Sequence, residues 1–163
     1  MIQTIIDYFS NVEPRWATFW LSMIPFTELR AALPIALLGY KLPVWEAIVF
    51  SIAGNMIPAV IILFSLDWLS DFLAARINWY KKFQTWLFER TARKFEGKYR
   101  KYGRVALLIF VGIPLPLTGA WTGAIAAFIF GFKKKWALLF IFLGLIMSAI
   151  IVTLLSLGVI SVM

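Results

Sequence analysis

Long uncharged stretches, interrupted at a few points, set the order of apolar and polar positions along the chain. Trp16 to Phe26 carries no charge, nor does Ala31 to Tyr40, and between them Glu28 and Arg30 stand two residues apart. Ala47 to Leu66 is 20 residues without a charge, Val105 to Phe132 is 28, and Trp136 to Met163 is another 28. A helix rising about 1.5 Å per residue crosses a ~30 Å hydrocarbon core in ~20 residues. The pattern therefore predicts transmembrane helices over 44–66 and 136–160.

The run from Val105 to Phe132 does not fit a third span. One crossing would put Arg104 and the triple lysine Lys133 to Lys135 on opposite sides, against the positive-inside bias, and would place Pro114 and Pro116 at its middle. Two crossings would leave each arm about half the required length. A re-entrant hairpin over 105–132, turning at the prolines and returning to its own side, satisfies length, charge and proline together. Irregular backbone at that depth needs cover from protein or water.

The stretch "IPFTELRAALPIALLGYK" from Ile24 resembles "IPLPLTGAWTGAIAAFIFGFK" from Ile113. Both open with Ile-Pro, pass through small residues, reach Gly-aromatic-Lys, and are followed by a tryptophan (Trp45, Trp136) and a span. The pairs Pro25–Pro114, Gly39–Gly131 and Gly54–Gly144 are 89, 92 and 90 residues apart. The expected fold is an all-α integral membrane protein of one domain. It is an inverted repeat of two units, each a re-entrant helical hairpin plus one transmembrane helix, with amphipathic interfacial helices. Residues 1–13 form an interfacial helix ended by Pro14, 16–40 the first hairpin, and 67–102 basic amphipathic helices on the cytoplasmic face. An alternative makes Ile2 to Ile24 one tilted span kinked at Pro14. Inverted repeats of this kind are a transporter architecture, with the site at the repeat interface.

Composition agrees with lipid as the solvent: the 163 residues are 62% hydrophobic and 15% charged, with a mean hydropathy of +0.86. The net charge of +8 raises the question of nucleic acid, but ten of the sixteen basic residues lie from Arg76 to Arg104, between hydrophobic regions. That placement points to cytoplasmic membrane flanks, 67–104 and 133–135, and the expected location is the inner or plasma membrane of a prokaryote. Leu69, Phe72, Leu73, Trp79, Phe83, Trp86 and Leu87 recur at helical spacing among Lys81, Lys82, Arg90, Arg93 and Lys94, as on an interfacial helix contacting membrane lipids. Met1 to Ser10 has no basic residue and contains Asp7, so no signal peptide is expected. With no cysteine and no histidine, disulfides, metal sites and the usual nucleophile–base pairs have no residues to build them. No enzyme, metal or cofactor is expected.

The chemistry gathers at the hairpin tips. Charged groups at depth mark pathways or substrate sites unless they only lock the fold. Residues i and i+2 do not face each other on a regular helix, so Glu28 and Arg30 are each expected to have another partner. Thr27 and Thr118 are expected to N-cap the second arms of their hairpins, aiming positive helix ends at the protein's middle. Pro34 removes the donor for the Arg30 carbonyl, and Pro58 the donor for the Gly54 carbonyl, beside Asn55. Pro25, Pro34, Pro58, Pro114 and Pro116 are the hairpin or kink residues. In "TGAWTGA", Gly119 and Gly123 allow close packing, Trp121 needs a partner for its indole N–H, and Thr122 adds a hydroxyl.

"ELRAALPIALLGY" and "PLPLTGAWTGA" resemble the signature stretches of the putative small multidrug export protein family, over most of the chain. The proline-bearing hairpins are more remotely similar to the DedA (VTT-domain) superfamily. That resemblance implies opposed re-entrant hairpins, polyprenyl-phosphate-type substrates, and Glu28 as the acidic hairpin residue. DedA proteins carry arginines flanking the second hairpin's turn. Ile113 to Gly119 has none, and the deep arginine is Arg30, on the first hairpin. The function expected is a flippase-like carrier of an amphipathic, anionic substrate, a phospho- or polyprenyl-phosphate lipid, proton-coupled through Glu28. The alternatives are a proton-coupled exporter of lipophilic cations and a non-transporting membrane scaffold or assembly factor. Glu28, Arg30, Thr27, Asn55, Thr118, Gly119, Trp121 and Thr122 form the candidate site. A homodimer or higher oligomer is expected, because so small a body shields two irregular turns poorly.

Overall fold

The computed structural model describes residues 12–79, 82, 85–86, 98–115 and 118–162. The fold is all-helical, with no strand among the described residues. In chain order it runs α1 (Pro14–Met23), α2 (Glu28–Pro34), a π-helical turn (Ile35–Gly39), α3 (Val44–Arg76), α4 (Lys98–Gly112), α5 (Ala120–Ile129) and α6 (Lys134–Val162). Of these, α3 and α6 are long and apolar enough to cross a membrane.

Pro14 starts a helix rather than ending one. It stands at the first helical position of α1, where its fixed φ suits the helix and its missing N–H is no loss. The interfacial helix expected over 1–13 and the first part of the alternative tilted span, up to residue 11, lie outside the described residues. α1 buries Ala17, Thr18, Leu21 and Ser22. Its hydroxyls are satisfied internally: Thr18 Oγ1 donates to the Pro14 carbonyl at 2.8 Å and Ser22 Oγ to the Thr18 carbonyl at 2.8 Å. The chain then turns over Ile24 to Thr27, and α2 runs back from Glu28. Pro34 stays helical, but its missing N–H is followed by a π turn, in which the Tyr40 N–H reaches the Ile35 carbonyl at 3.0 Å.

α3 continues well past the apolar run, through Asp67 and Asp71 to Arg76, 33 residues in all. Its chain of backbone bonds needs no apolar side chains once it has left the core, so the expected boundary at Leu66 is not a helix end. Residues 98–102 likewise belong to α4, the first arm of the second hairpin. Phe83 and Leu87 of the expected amphipathic pattern lie outside the described residues. α6 begins at Lys134, slightly before the tryptophan.

Two glycines set the packing. A Cβ on Gly54 of α3 would overlap the Phe19 carbonyl of α1 and come within 3.0 Å of Ser22 Cβ. A Cβ on Gly144 of α6 would come within 2.9 Å of the Leu108 carbonyl oxygen and 2.8 Å of Val111 Cβ, both on α4. Each long helix thus receives the first arm of its preceding hairpin at a bare backbone position. The second arms cross over, α5 packing on α3 and α2 on α6. The joint core holds Leu29 and Leu33 of α2, Leu107 and Val111 of α4, and Ile141 and Leu145 of α6, filled in by alanines of α5. Outward-facing Val49, Ile57, Ile61 and Phe64 on α3, and Leu139, Phe142, Ile150 and Leu154 on α6, are exposed. Such a wide apolar exterior belongs in lipid, and the protein is an integral membrane protein.

The hairpins are also closed at their roots. Arg15, before the first, holds Glu46, after it, through Nε–Oε2 at 2.6 Å and Nη2–Oε1 at 3.0 Å. Arg104, at the root of the second, lies 4.4 Å from the ring centroid of Trp136, just after it. The left-handed residue that ends each second arm is Lys41 (φ 53) in the first and Gly131 (φ 62) in the second.

Candidate functional site

The two hairpin turns meet, and Glu28 and Arg30 stand at the junction. α1 ends with Ile24 in extended conformation ahead of Pro25, and the Glu28 N–H bonds the Ile24 carbonyl at 2.9 Å. Glu28 itself has φ 44, a left-handed conformation that costs a non-glycine residue about 1–2 kcal/mol. That strained backbone starts α2 and holds the carboxylate against the second hairpin. Glu28 is buried, at 8% exposure. Its carboxylate lies on the bare face of Gly119, beside the backbone of Trp121 in the first turn of α5. Gly119 has no side chain to cap α5, and a carboxylate from the other hairpin stands in that place.

Arg30 reaches across in the same direction. Its Nη1 donates to the Leu115 carbonyl and its Nη2 to Thr118 Oγ1 at 3.0 Å. The planar fork suits two acceptors side by side. Glu28 and Arg30 are also loosely paired, Nη2 to Oε2 at 3.9 Å. Residues i and i+2 do not meet on a regular helix, but Glu28, at φ 44, departs from one, and Arg30 keeps its other partners at Leu115 and Thr118.

Neither threonine caps as expected. Thr27 precedes α2, but its hydroxyl donates backward to the Leu21 carbonyl, closing the turn instead of accepting an N–H of α2. The N-cap of α5 is Gly119, one residue after Thr118. The Thr118 hydroxyl lies 2.9 Å from both the Ile113 and the Leu115 carbonyl oxygens, and accepts from Arg30. It braces the turn, whose tightest part is the 2.8 Å bond from the Leu115 N–H to the Ile113 carbonyl around Pro114. Pro116 is outside the described residues. Thr122 Oγ1 donates to the Gly119 carbonyl at 3.3 Å, within its own helix. Gly123 is a packing residue: a Cβ there would meet Val111 Cγ2 at 2.6 Å.

Two polar groups near the middle have no partner. Asn55, on the buried face of α3, is 1% exposed, and neither atom of its amide is hydrogen-bonded among the described residues. The Trp121 indole nitrogen is buried and equally unpartnered. The site therefore brings together Glu28, Arg30, Thr118, Gly119 and the Trp121 backbone. Thr27 supports the turn from behind. Among the described residues, no group of three or more His, Cys, Asp or Glu side chains gathers to hold a metal ion.

The sequence reading missed the Arg15–Glu46 pair. A signal was there: Arg15 is the sole base before Arg30, and Glu46 the sole acid between Glu28 and Asp67. It also missed the Leu115 carbonyl, which no side-chain pattern encodes.

No curated protein and no solved structure matches the chain. A family profile described as "Putative small multi-drug export protein" matches residues 28–151, from Glu28 at the tip of the first hairpin through most of α6. The match spans well over half of the sequence, both hairpins' second arms and the whole tip junction, and so the chain belongs to the putative small multi-drug export protein family of membrane transporters.

Proposed function

We propose that the protein carries an amphipathic substrate with an anionic head group from one leaflet to the other, together with a proton on Glu28. The observation that carries this reading is the seat of the Glu28 carboxylate. It rests against Gly119 at the start of α5 beside Arg30, where helix end and guanidinium attract an anion. A carboxylate there stands in for a phosphate or carboxylate of the substrate. One arginine balances one anion. A substrate head group can replace Glu28 only once Glu28 is neutralised, which couples binding to protonation.

The surrounding architecture is read as an inverted repeat of two re-entrant hairpins entering from opposite faces. Six correspondences support it: Arg15 with Arg104, Phe19 with Leu108, Ser22 with Val111, Lys41 with Gly131, Glu46 with Trp136, and Gly54 with Gly144. Each pair plays the same structural part 89 or 90 residues apart. Alternating access then amounts to opening one root while the tips part. The turn residue Phe26 is 97% exposed, and a second copy of the chain is the proposed cover for this irregular backbone.

The test is transport in proteoliposomes of a fluorescent anionic lipid, with a trapped pH dye. Wild type moves lipid and protons together. Arg30→Ala abolishes both, and Glu28→Gln binds the lipid without moving protons. A second reading has its own observation: the Leu115 carbonyl and the Glu28 carboxylate both face a cation, that of Arg30. A lipophilic cation in place of the guanidinium would make this an exporter of cationic drugs. Tetraphenylphosphonium transport lost in Glu28→Gln and retained in Arg30→Ala would replace the first reading with the second.

A further inference from the structure

Beside the tip junction, an apolar groove of about 490 Å³ runs between the turn of the first hairpin and the Pro58 region of α3. It is lined by Trp20, Ile24, Pro25, Pro58, Ile61 and Trp121, among others. We infer that this groove is the binding site for the hydrocarbon chain of the carried amphiphile, which enters it sideways from the bilayer. The inference rests on the reading of the tip junction as a head-group site.

Three observations converge on that occupant. The volume falls within the range of small-ligand sites, and the lining offers almost nothing but carbon. The rim is part of the outer apolar surface: Trp20, Ile24 and Ile61 are 53%, 42% and 55% exposed. A chain already dissolved in lipid meets no polar barrier on the way in. The groove also touches the charged site through one residue. The Trp121 backbone lies beside the Glu28 carboxylate, and its side chain is set in the groove wall. Its indole nitrogen is buried without a partner among the described residues. A buried indole N–H ordinarily finds an acceptor. An oxygen where head group meets chain, such as a phosphate ester oxygen, supplies one at the position where polar and apolar parts of the site join. Head group at Arg30, linking oxygen at Trp121 and chain against Pro58 and Ile61 give an amphiphile a single orientation.

The experiment is photolabelling of the full-length protein in nanodiscs, using an alkyl phosphate with a diazirine at the chain end and peptide mapping by mass spectrometry. Labelling is expected to concentrate on Trp20, Ile61 and Ile62. It should be competed by unlabelled alkyl phosphates with a potency that climbs about fourfold per methylene until the groove is full. Ile61→Trp, which fills the groove from its rim, should remove both the focus and the chain-length dependence. Trp121→Phe, which keeps the ring and loses the donor, should weaken competition about fivefold. A diazirine-bearing alkyl trimethylammonium separates the two readings. If it labels the groove as well or better, the chain site stands and the anionic head-group assignment falls. Labelling scattered evenly over the lipid-facing residues of α3 and α6, unmoved by competitor or by Ile61→Trp, overturns the groove itself.

Discussion

The carboxylate of Glu28 occupies the space that a side chain on Gly119 would fill: a Cβ there would come within 2.6 Å of Oε1 and closer still to Oε2. The Gly119 backbone is extended, with φ 167, so alanine meets no conformational penalty and the overlap with Glu28 is its whole effect. Gly119→Ala is expected to drive the carboxylate off the start of α5, lower stability by roughly 1–3 kcal/mol and stop transport. Gly158→Ala, where nothing lies within 4 Å, is the matched control and should leave both unchanged. Thermal unfolding in detergent, followed by the proteoliposome assay, measures the pair.

Arg15 and Glu46 tie the start of the first hairpin to the start of α3. Glu46 is buried, at 6% exposure, so removing Arg15 leaves a carboxylate with no counter-charge, whereas removing Glu46 leaves a more exposed guanidinium. Arg15→Ala is therefore expected to lower the melting temperature more than Glu46→Ala. The double variant should fall less than the sum of the two, because the pair is a single unit. Equal and additive losses would mean that the root is held by packing, as through Gly54, and not by charge.

The two long apolar helices and the turns near Pro25 and Pro114 were legible because they follow from length, charge and proline. The caps were not. Both Thr27 and Thr118 are good capping residues, but each hydroxyl found a carbonyl, and the Glu28 carboxylate of the other hairpin lies against the Gly119 N-cap of α5. A sequence-local rule cannot see groups brought together from two turns some ninety residues apart. The left-handed Lys41 was hidden for a different reason: glycine is the usual signal for that conformation, as at Gly131. The end of α3 was obscured because hydrophobicity reports where lipid stops, and backbone hydrogen bonding carries the helix further.

Asn55 offers a separation of stability from function. Its amide is buried with neither atom bonded among the described residues, and an unsatisfied buried amide costs roughly 1–3 kcal/mol. Asn55→Leu keeps a similar volume and removes that penalty. It is expected to raise the melting temperature while reducing transport, since the proposed path needs a polar group at that depth. A variant that is both more stable and fully active would remove Asn55 from the candidate site.

The arrangement of the roots makes a topological prediction that needs no substrate. Lys134 lies 4.2 Å from the Phe64 ring centroid, and Arg104 4.4 Å from that of Trp136. The far part of α3, the root of the second hairpin and the start of α6 therefore share one end of the molecule. Arg15 and Glu46 gather the root of the first hairpin at the start of α3, with Lys41 just before it. Since α3 is long enough to cross the membrane, Lys41 and Lys133 should lie on opposite sides, with Lys133 facing the cytoplasm by the positive-inside bias. The chain has no cysteine, so Lys41→Cys and Lys133→Cys each report alone. In intact cells an impermeant maleimide is expected to modify the first and spare the second, and inside-out vesicles should reverse the result. Reaction of both from the same side would mean that α3 lies along the membrane, and the two hairpins could not then enter from opposite faces.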